Sequence, residues 1–210
     1  MGPIVVIAAS AGGLTPIKQI VAALPASCSA SVFIAWHTGS HPSIVPEILS
    51  MTSRLPVGHG EDGQHIEAGR VYVAPPDKHM YLDHGVIRLD HGAKVHFTRP
   101  AADPLFVSAA KAYRERVIGI DLSGYGGDGA DGLATVKARG GLALVQDPEE
   151  AEQPSMPWAA LMADHPDASL PVAEIASRVA ALCCKGEADP PPRSDHGVAG
   201  ASSILPANRS

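Results

Sequence analysis

Short unbroken apolar runs alternate along the chain with longer stretches in which apolar positions recur every three or four residues. Ile4-Val5-Val6-Ile7-Ala8-Ala9 is continuously apolar, the pattern of a strand buried on both faces. Ser10-Ala11-Gly12-Gly13 reads as a turn. Ile17, Ile20, Val21 and Leu24 then follow at helical spacing until Pro25 ends the helix. A second strand is predicted over Ala30–Ala35, leading into Trp36-His37-Thr38-Gly39-Ser40, and Pro46–Met51 patterns as a short helix with proline early in it. Farther on, Arg70–Ala74 and Val86–Leu89 read as strands between Pro- and Gly-rich turns, and Asp103–Glu115 as an amphipathic helix. Val117–Leu122 is another buried strand, followed by the glycine-dense Ser123-Gly124-Tyr125-Gly126-Gly127-Asp128-Gly129. A helix over Ala130–Ala138 stops at Gly140-Gly141, Leu142–Gln146 is a strand, and helices are expected near Pro157–Met162 and Val172–Cys183.

Repeated strand, turn, helix and strand predict an α/β fold: a doubly wound, mostly parallel sheet flanked by helices, in a single domain over residues 1–185. No internal repeat is evident. Past Gly186 the chain turns to Pro190-Pro191-Pro192 and to Ser, Gly and Ala without periodicity, so 186–210 is expected to be a disordered tail.

Composition narrows the function classes. The 210 residues are 45% hydrophobic but only 4% aromatic, so the core should be Val, Ile, Leu and Ala, as a buried parallel sheet requires. A net charge of −6 argues against gripping a nucleic-acid backbone. Three cysteines, two of them adjacent and none in a C-x-x-C pattern, suggest reduced thiols in a cytoplasmic protein. No apolar stretch is long enough for membrane insertion, and no basic leader precedes the first strand.

Reactive side chains stand where ligands bind in open parallel sheets, beyond the carboxyl ends of strands. Ser10 follows the first strand, His37 the second, and Asp128 the strand over Val117–Leu122. These types suit acyl transfer: serine attacks, histidine takes its proton, and aspartate orients the imidazole and stabilises its charged form. Each also has a plainer explanation. Ser10 and Asp128 could cap helices, Asp128 the one starting near Gly129, and His37 could be an ordinary loop histidine among ten. Gly12 and Gly13 allow close backbone approach. The amides near Ala11 and Gly12, with those of Tyr125 and Gly126, are candidates for stabilising an oxyanion.

Other motifs fall away. The Ser10 turn lacks G-x-G-x-x-G spacing and a Walker lysine. It is not the G-x-S-x-G elbow either, and the order Ser10, His37, Asp128 differs from that of α/β-hydrolases. His79, His84, His91 and His96 match no zinc pattern and read as surface loop histidines, so no metal is expected. Asp128-Gly129-Ala130-Asp131-Gly132 lacks the closing glutamate of a calcium loop.

Ala9-Ser10-Ala11-Gly12-Gly13, Trp36-His37, Gly69–Pro75, Arg99-Pro100-Ala101-Ala102-Asp103, Gly124–Gly129 and Gln146-Asp147-Pro148 occur in that order. Together they resemble the catalytic domain of bacterial chemotaxis protein-glutamate methylesterases, from about Ile4 to Leu182. The resemblance implies a triad of Ser10, His37 and Asp128 and no cofactor. It also implies hydrolysis of glutamate γ-methyl esters on chemoreceptor cytoplasmic helices, with methanol released, and in some members deamidation of receptor glutamines. This chain departs from the family at Ala8, Trp36, Thr38-Gly39 and Tyr125. Typical members carry an N-terminal phospho-receiver domain. Because the first strand begins at Ile4, a stand-alone esterase, or one controlled by a receiver protein in trans, is expected. Arg99 is read either as a substrate-positioning residue or as a member of a surface ion pair. The rival functions are an esterase or deamidase for a protein other than a chemoreceptor, and a catalytically idle module that docks on receptor helices.

Overall fold

A computed structural model describes residues 2–164 and 166–183; the tail expected over 186–210 lies outside the described residues. Seven strands form one parallel sheet: β1 (Ile4–Ala9), β2 (Ser31–Trp36), β3 (Val57–His59), β4 (Arg70–Val73), β7 (Val117–Asp121), β8 (Leu142–Gln146) and β9 (Ala168–Leu170). Their order across the sheet is β3-β4-β2-β1-β7-β8-β9. A separate antiparallel hairpin pairs β5 (His79–Asp83) with β6 (Val86–Asp90). The helices are α1 (Leu14–Ala23), α2 (Val45–Ser50), α3 (Ala102–Tyr113), α4 (Ala130–Ala138), α5 (Ser155–Asp164) and α6 (Val172–Cys183).

Alternation along β1 splits the core. Ile4, Val6 and Ala8 face the layer of α3, α4 and α5, where Leu105, Phe106, Val136 and Met156 are buried. Val5, Ile7 and Ala9 face the opposite layer, with Ile17 and Ile20 of α1 and Ile175 and Val179 of α6. Burial on both faces is what the continuous apolar runs required. Phe33 and Tyr72, on neighbouring strands, stack at 5.1 Å between centroids.

Strand β1 pairs with β2 on one side and β7 on the other, so it is the point where the chain reverses its direction across the sheet. A crevice opens at the carboxyl end of such a strand. Register fixes what lies there: Ala9 is opposite Trp36 and Ala8 opposite Asp121. Ser10 and His37 therefore leave the sheet side by side, where strands lie about 4.8 Å apart.

The sequence reading missed β3, β5 and β9. Two of these are three-residue edge strands, too short to show a period, and β5 mixes His79, Tyr81 and Asp83 with apolar positions. The helix expected to reach Glu115 stops at Tyr113, and a 3-10 turn over Arg114–Arg116 follows, with Arg114 at φ 50°.

Candidate active site

The turn after β1 is braced from the β7 side. The Ser10 amide donates to the Ser123 carbonyl at 3.0 Å, and the Gly13 amide to the Ser10 carbonyl at 3.0 Å. Buried Ser123 donates its hydroxyl to the Ala11 carbonyl at 2.9 Å, while its own amide reaches the Gln146 side chain at 2.9 Å. Gly12 sits at φ 75°, and a Cβ there would lie 2.6 Å from Ser123 Oγ and from Glu152 Cβ. Gly124 likewise permits contact: a Cβ at that position would come within 2.8 Å of Ser10 Cβ. Only glycine lets the two loops close on the serine in this way. Ser123 and Gln146 were not singled out for a role in the sequence, although the Gln146-Asp147-Pro148 segment was visible.

His37 and Asp128 meet directly. His37 Nε2 lies 2.6 Å from Asp128 Oδ2, and the two side chains are 11% and 2% exposed. The carboxylate also accepts the Ala102 amide at 2.6 Å and the Asp103 amide at 3.1 Å. These are the first amides of α3, which have no partner inside the helix and carry the positive end of its dipole. Asp128 thus caps α3 and not α4, the helix it precedes. The α4 end is served by Asp103, whose Oδ1 accepts from Gly129 at 3.1 Å and Gly132 at 2.7 Å. Each carboxylate therefore holds the helix that carries or follows the other. With Nε2 on the carboxylate, Nδ1 is the ring nitrogen left for another partner.

Tyr125 and Gly126 form the crest of the β7–α4 loop, with Tyr125 61% exposed and open space around Gly126. Behind the Gly12 turn lies a cavity of about 240 Å³, lined by Gly12, Thr15, Gln146 and Glu152 among others.

The comparisons fit this arrangement. The family model for the CheB methylesterase matches residues 5–179. The chain belongs to the CheB methylesterase family. It is 36% identical over 174 residues to a putative protein-glutamate methylesterase/protein-glutamine glutaminase of Leptospira interrogans, covering 82% of this chain and 90% of the relative. A Caulobacter vibrioides protein-glutamate methylesterase/protein-glutamine glutaminase is 36% identical over 187 residues, 85% of this chain and 54% of that protein. The crystal structure of the Thermotoga maritima CheB methylesterase catalytic domain superposes with a TM-score of 0.81 at 32% identity, over 87% of this chain and 99% of that one.

Around the site of this CheB-family domain lie Arg99, His79 and His96. Arg99 donates to Asp77 Oδ1 from Nη2 at 2.7 Å and to the Gly92 carbonyl from Nη1 at 2.6 Å, with Nε on the Asp77 carbonyl at 2.8 Å. Its guanidinium ties the Asp77 turn between β4 and β5 to the loop before α3. Arg99 also holds the Asp77 carboxyl below the usual carboxylate range. His79, expected on the surface, is 1% exposed, facing the Ala93 carbonyl and the Ala101 amide. His96 faces Asp103 Oδ2 at 3.0 Å, and together with Asp131 these are the group among the described residues whose donor atoms lie within 4.8 Å of one another. Helix capping already accounts for Asp103 there. Among the described residues no helix is long and apolar enough to cross a membrane.

Proposed function

We propose that the chain is a serine hydrolase that cleaves glutamate γ-methyl esters on chemoreceptor cytoplasmic helices. The observation that carries this reading is the buried His37–Asp128 pair, 2.6 Å apart, at the strand end registered beside Ser10. The names of the Leptospira and Caulobacter relatives support the ester as substrate class.

In this mechanism Ser10 Oγ attacks the ester carbonyl while His37 Nδ1 accepts its proton. Asp128 keeps the Nε2 proton directed at itself and stabilises the imidazolium. The developing oxyanion is received by amides near Ala11 and Gly12, with Tyr125 and Gly126 across the cleft, each donor being worth about 2.7–4 kcal/mol. The imidazolium then protonates methanol as it leaves. Water resolves the acyl-enzyme by the reverse steps. An amide in place of the ester releases ammonia by the same route, which is deamidation. Arg99 acts by holding the 91–99 loop against Asp77, with its guanidinium on the Asp77 carboxylate and the Gly92 carbonyl.

The test is methanol release from methylated chemoreceptor cytoplasmic fragments by the wild type and by Ser10→Ala. Release from the wild type, abolished in the variant, supports the reading. A folded wild type that releases none directs the search to other proteins' esters or to a docking role.

A further inference from the structure

At the amino-terminal end of the sheet's strands, two thiols from distant parts of the chain are hydrogen-bonded neighbours. Cys28 is in the loop between α1 and β2, and Cys183 ends α6; they are 4% and 1% exposed and belong to the same apolar cluster. The Ser29 hydroxyl donates to the Cys183 carbonyl at 3.3 Å, fixing the loop to the helix end. Helices α1 and α6 pack together just beyond. The immediate neighbours of the pair, Ser29 and Leu182, line a groove of about 610 Å³ shared with Gly2, Pro3, Arg116 and Arg178. The thiols therefore sit one residue behind a surface that a small molecule can reach.

We propose that Cys28 and Cys183 form an oxidisable site, where a peroxide closes a disulfide between the α1–β2 loop and the end of α6. Two buried cysteines are often mere packing. Here a hydrogen bond from the Cys183 side chain outweighs burial and brings the Cys28 thiol down to about 7. A thiol so lowered forms more thiolate at neutral pH than an ordinary cysteine, and the thiolate is the reactive form. The Cys28 thiolate attacks one peroxide oxygen, the O–O bond breaks, hydroxide leaves and takes up a proton, and Cys28 becomes the sulfenic acid. Cys183 sulfur then attacks Cys28 sulfur, the S–O bond breaks, and the oxygen departs as water with the Cys183 proton. Overall, two thiols and one hydrogen peroxide give one disulfide and two waters.

The bridge would tie together residues near the two ends of the domain, removing many conformations from the unfolded chain. It lies at the amino ends of the strands, opposite the carboxyl ends that carry Ser10, so activity should stay within about twofold of the reduced protein.

The experiment uses the full chain carrying Cys184→Ser, treated with stoichiometric hydrogen peroxide. The expected result is an intact mass lower by two hydrogens and a non-reducing peptide map linking the Cys28 and Cys183 peptides. The melting temperature should rise by about 5–10 °C and return with dithiothreitol. Cys183→Ser, which keeps a hydrogen-bond donor but has no resolving sulfur, should stop at a Cys28 sulfenic acid that dimedone traps, and Cys28→Ser should show no redox-dependent shift. If Cys28→Ser does not fold, the trapping result in Cys183→Ser decides. Thiols that both survive this treatment in the folded protein would overturn the proposal, as would a bridge between two chains. So would a link to Cys184 in the unsubstituted protein.

Discussion

Around Ser10 the chain is a turn of small residues, Ser10-Ala11-Gly12-Gly13, shaped by a positive φ at Gly12 and held in place by Ser123. Around Asp128 it is a set of carboxyls buried against helix ends: Asp128 on α3, Asp103 on α4, and Asp121 beneath Gly129. Under the proposed mechanism, the contrast separates two requirements of acyl transfer. The attacking side needs room for a substrate and amides that remain available to an oxyanion. The orienting side needs groups whose positions are fixed before the substrate arrives, and fixing them ties catalysis to stability. Substitutions on the two sides should therefore differ in kind.

The largest effect on both properties at once is expected from Asp128→Asn. Activity should fall by about 10⁴-fold because the imidazole loses the partner that sets its tautomer. Stability should fall as well, by about 1–3 kcal/mol, because a charged acceptor on two helix amides becomes neutral. Ser10→Ala should abolish methanol release yet leave the melting temperature within about 2 °C. Denaturation curves set beside initial rates check this, and equal stability of the two variants would erase the contrast.

Next in size is Asp103→Ala, which leaves the Gly129 and Gly132 amides without their carboxylate. A loss of about 1–3 kcal/mol is expected from the missing cap. Because Asp128 immediately precedes that helix start, activity should drop about tenfold with little change in KM. An unchanged kcat would show that Asp128 is held by α3 alone.

Much of this layout was legible in the sequence, for a definite reason. Strands buried on both faces leave unbroken apolar runs, so β1 and β8 and the loops after β1, β2 and β7 could be placed by inspection. The short edges β3 and β9 carry no such signal. Nor does sequence say which helix a loop carboxylate will meet: Asp128 is next to α4 in the chain but against α3 in space. The buried state of His79 was hidden in the same way, because its own hairpin strand β5 was missed although the partner β6 was recognised. Asp121 did leave a trace, as the one charged residue in Val-Ile-Gly-Ile-Asp-Leu.

That residue gives the subtlest test of the orienting side. Asp121 is fully buried, and among the described residues neither of its oxygens has a hydrogen-bond partner. Burial, and then the nearby Asp128 and Asp103, push its carboxyl well above the ordinary value of 3.8. A raised pKa means that the folded protein holds a proton which the unfolded chain releases once the pH passes that ordinary value. Below about pH 4 both states are protonated and the penalty is absent; as the pH rises toward the folded pKa, stability is progressively lost. Asp121→Val removes the group and fits the apolar strand, so it should stabilise by about 1–2 kcal/mol at neutral pH. The advantage should shrink as the pH is lowered toward 4. Comparing the two proteins at each pH cancels the titration of the other carboxyls. A difference that does not change with pH would mean Asp121 is ionised in the fold, and the orienting side would then hold three charges instead of two.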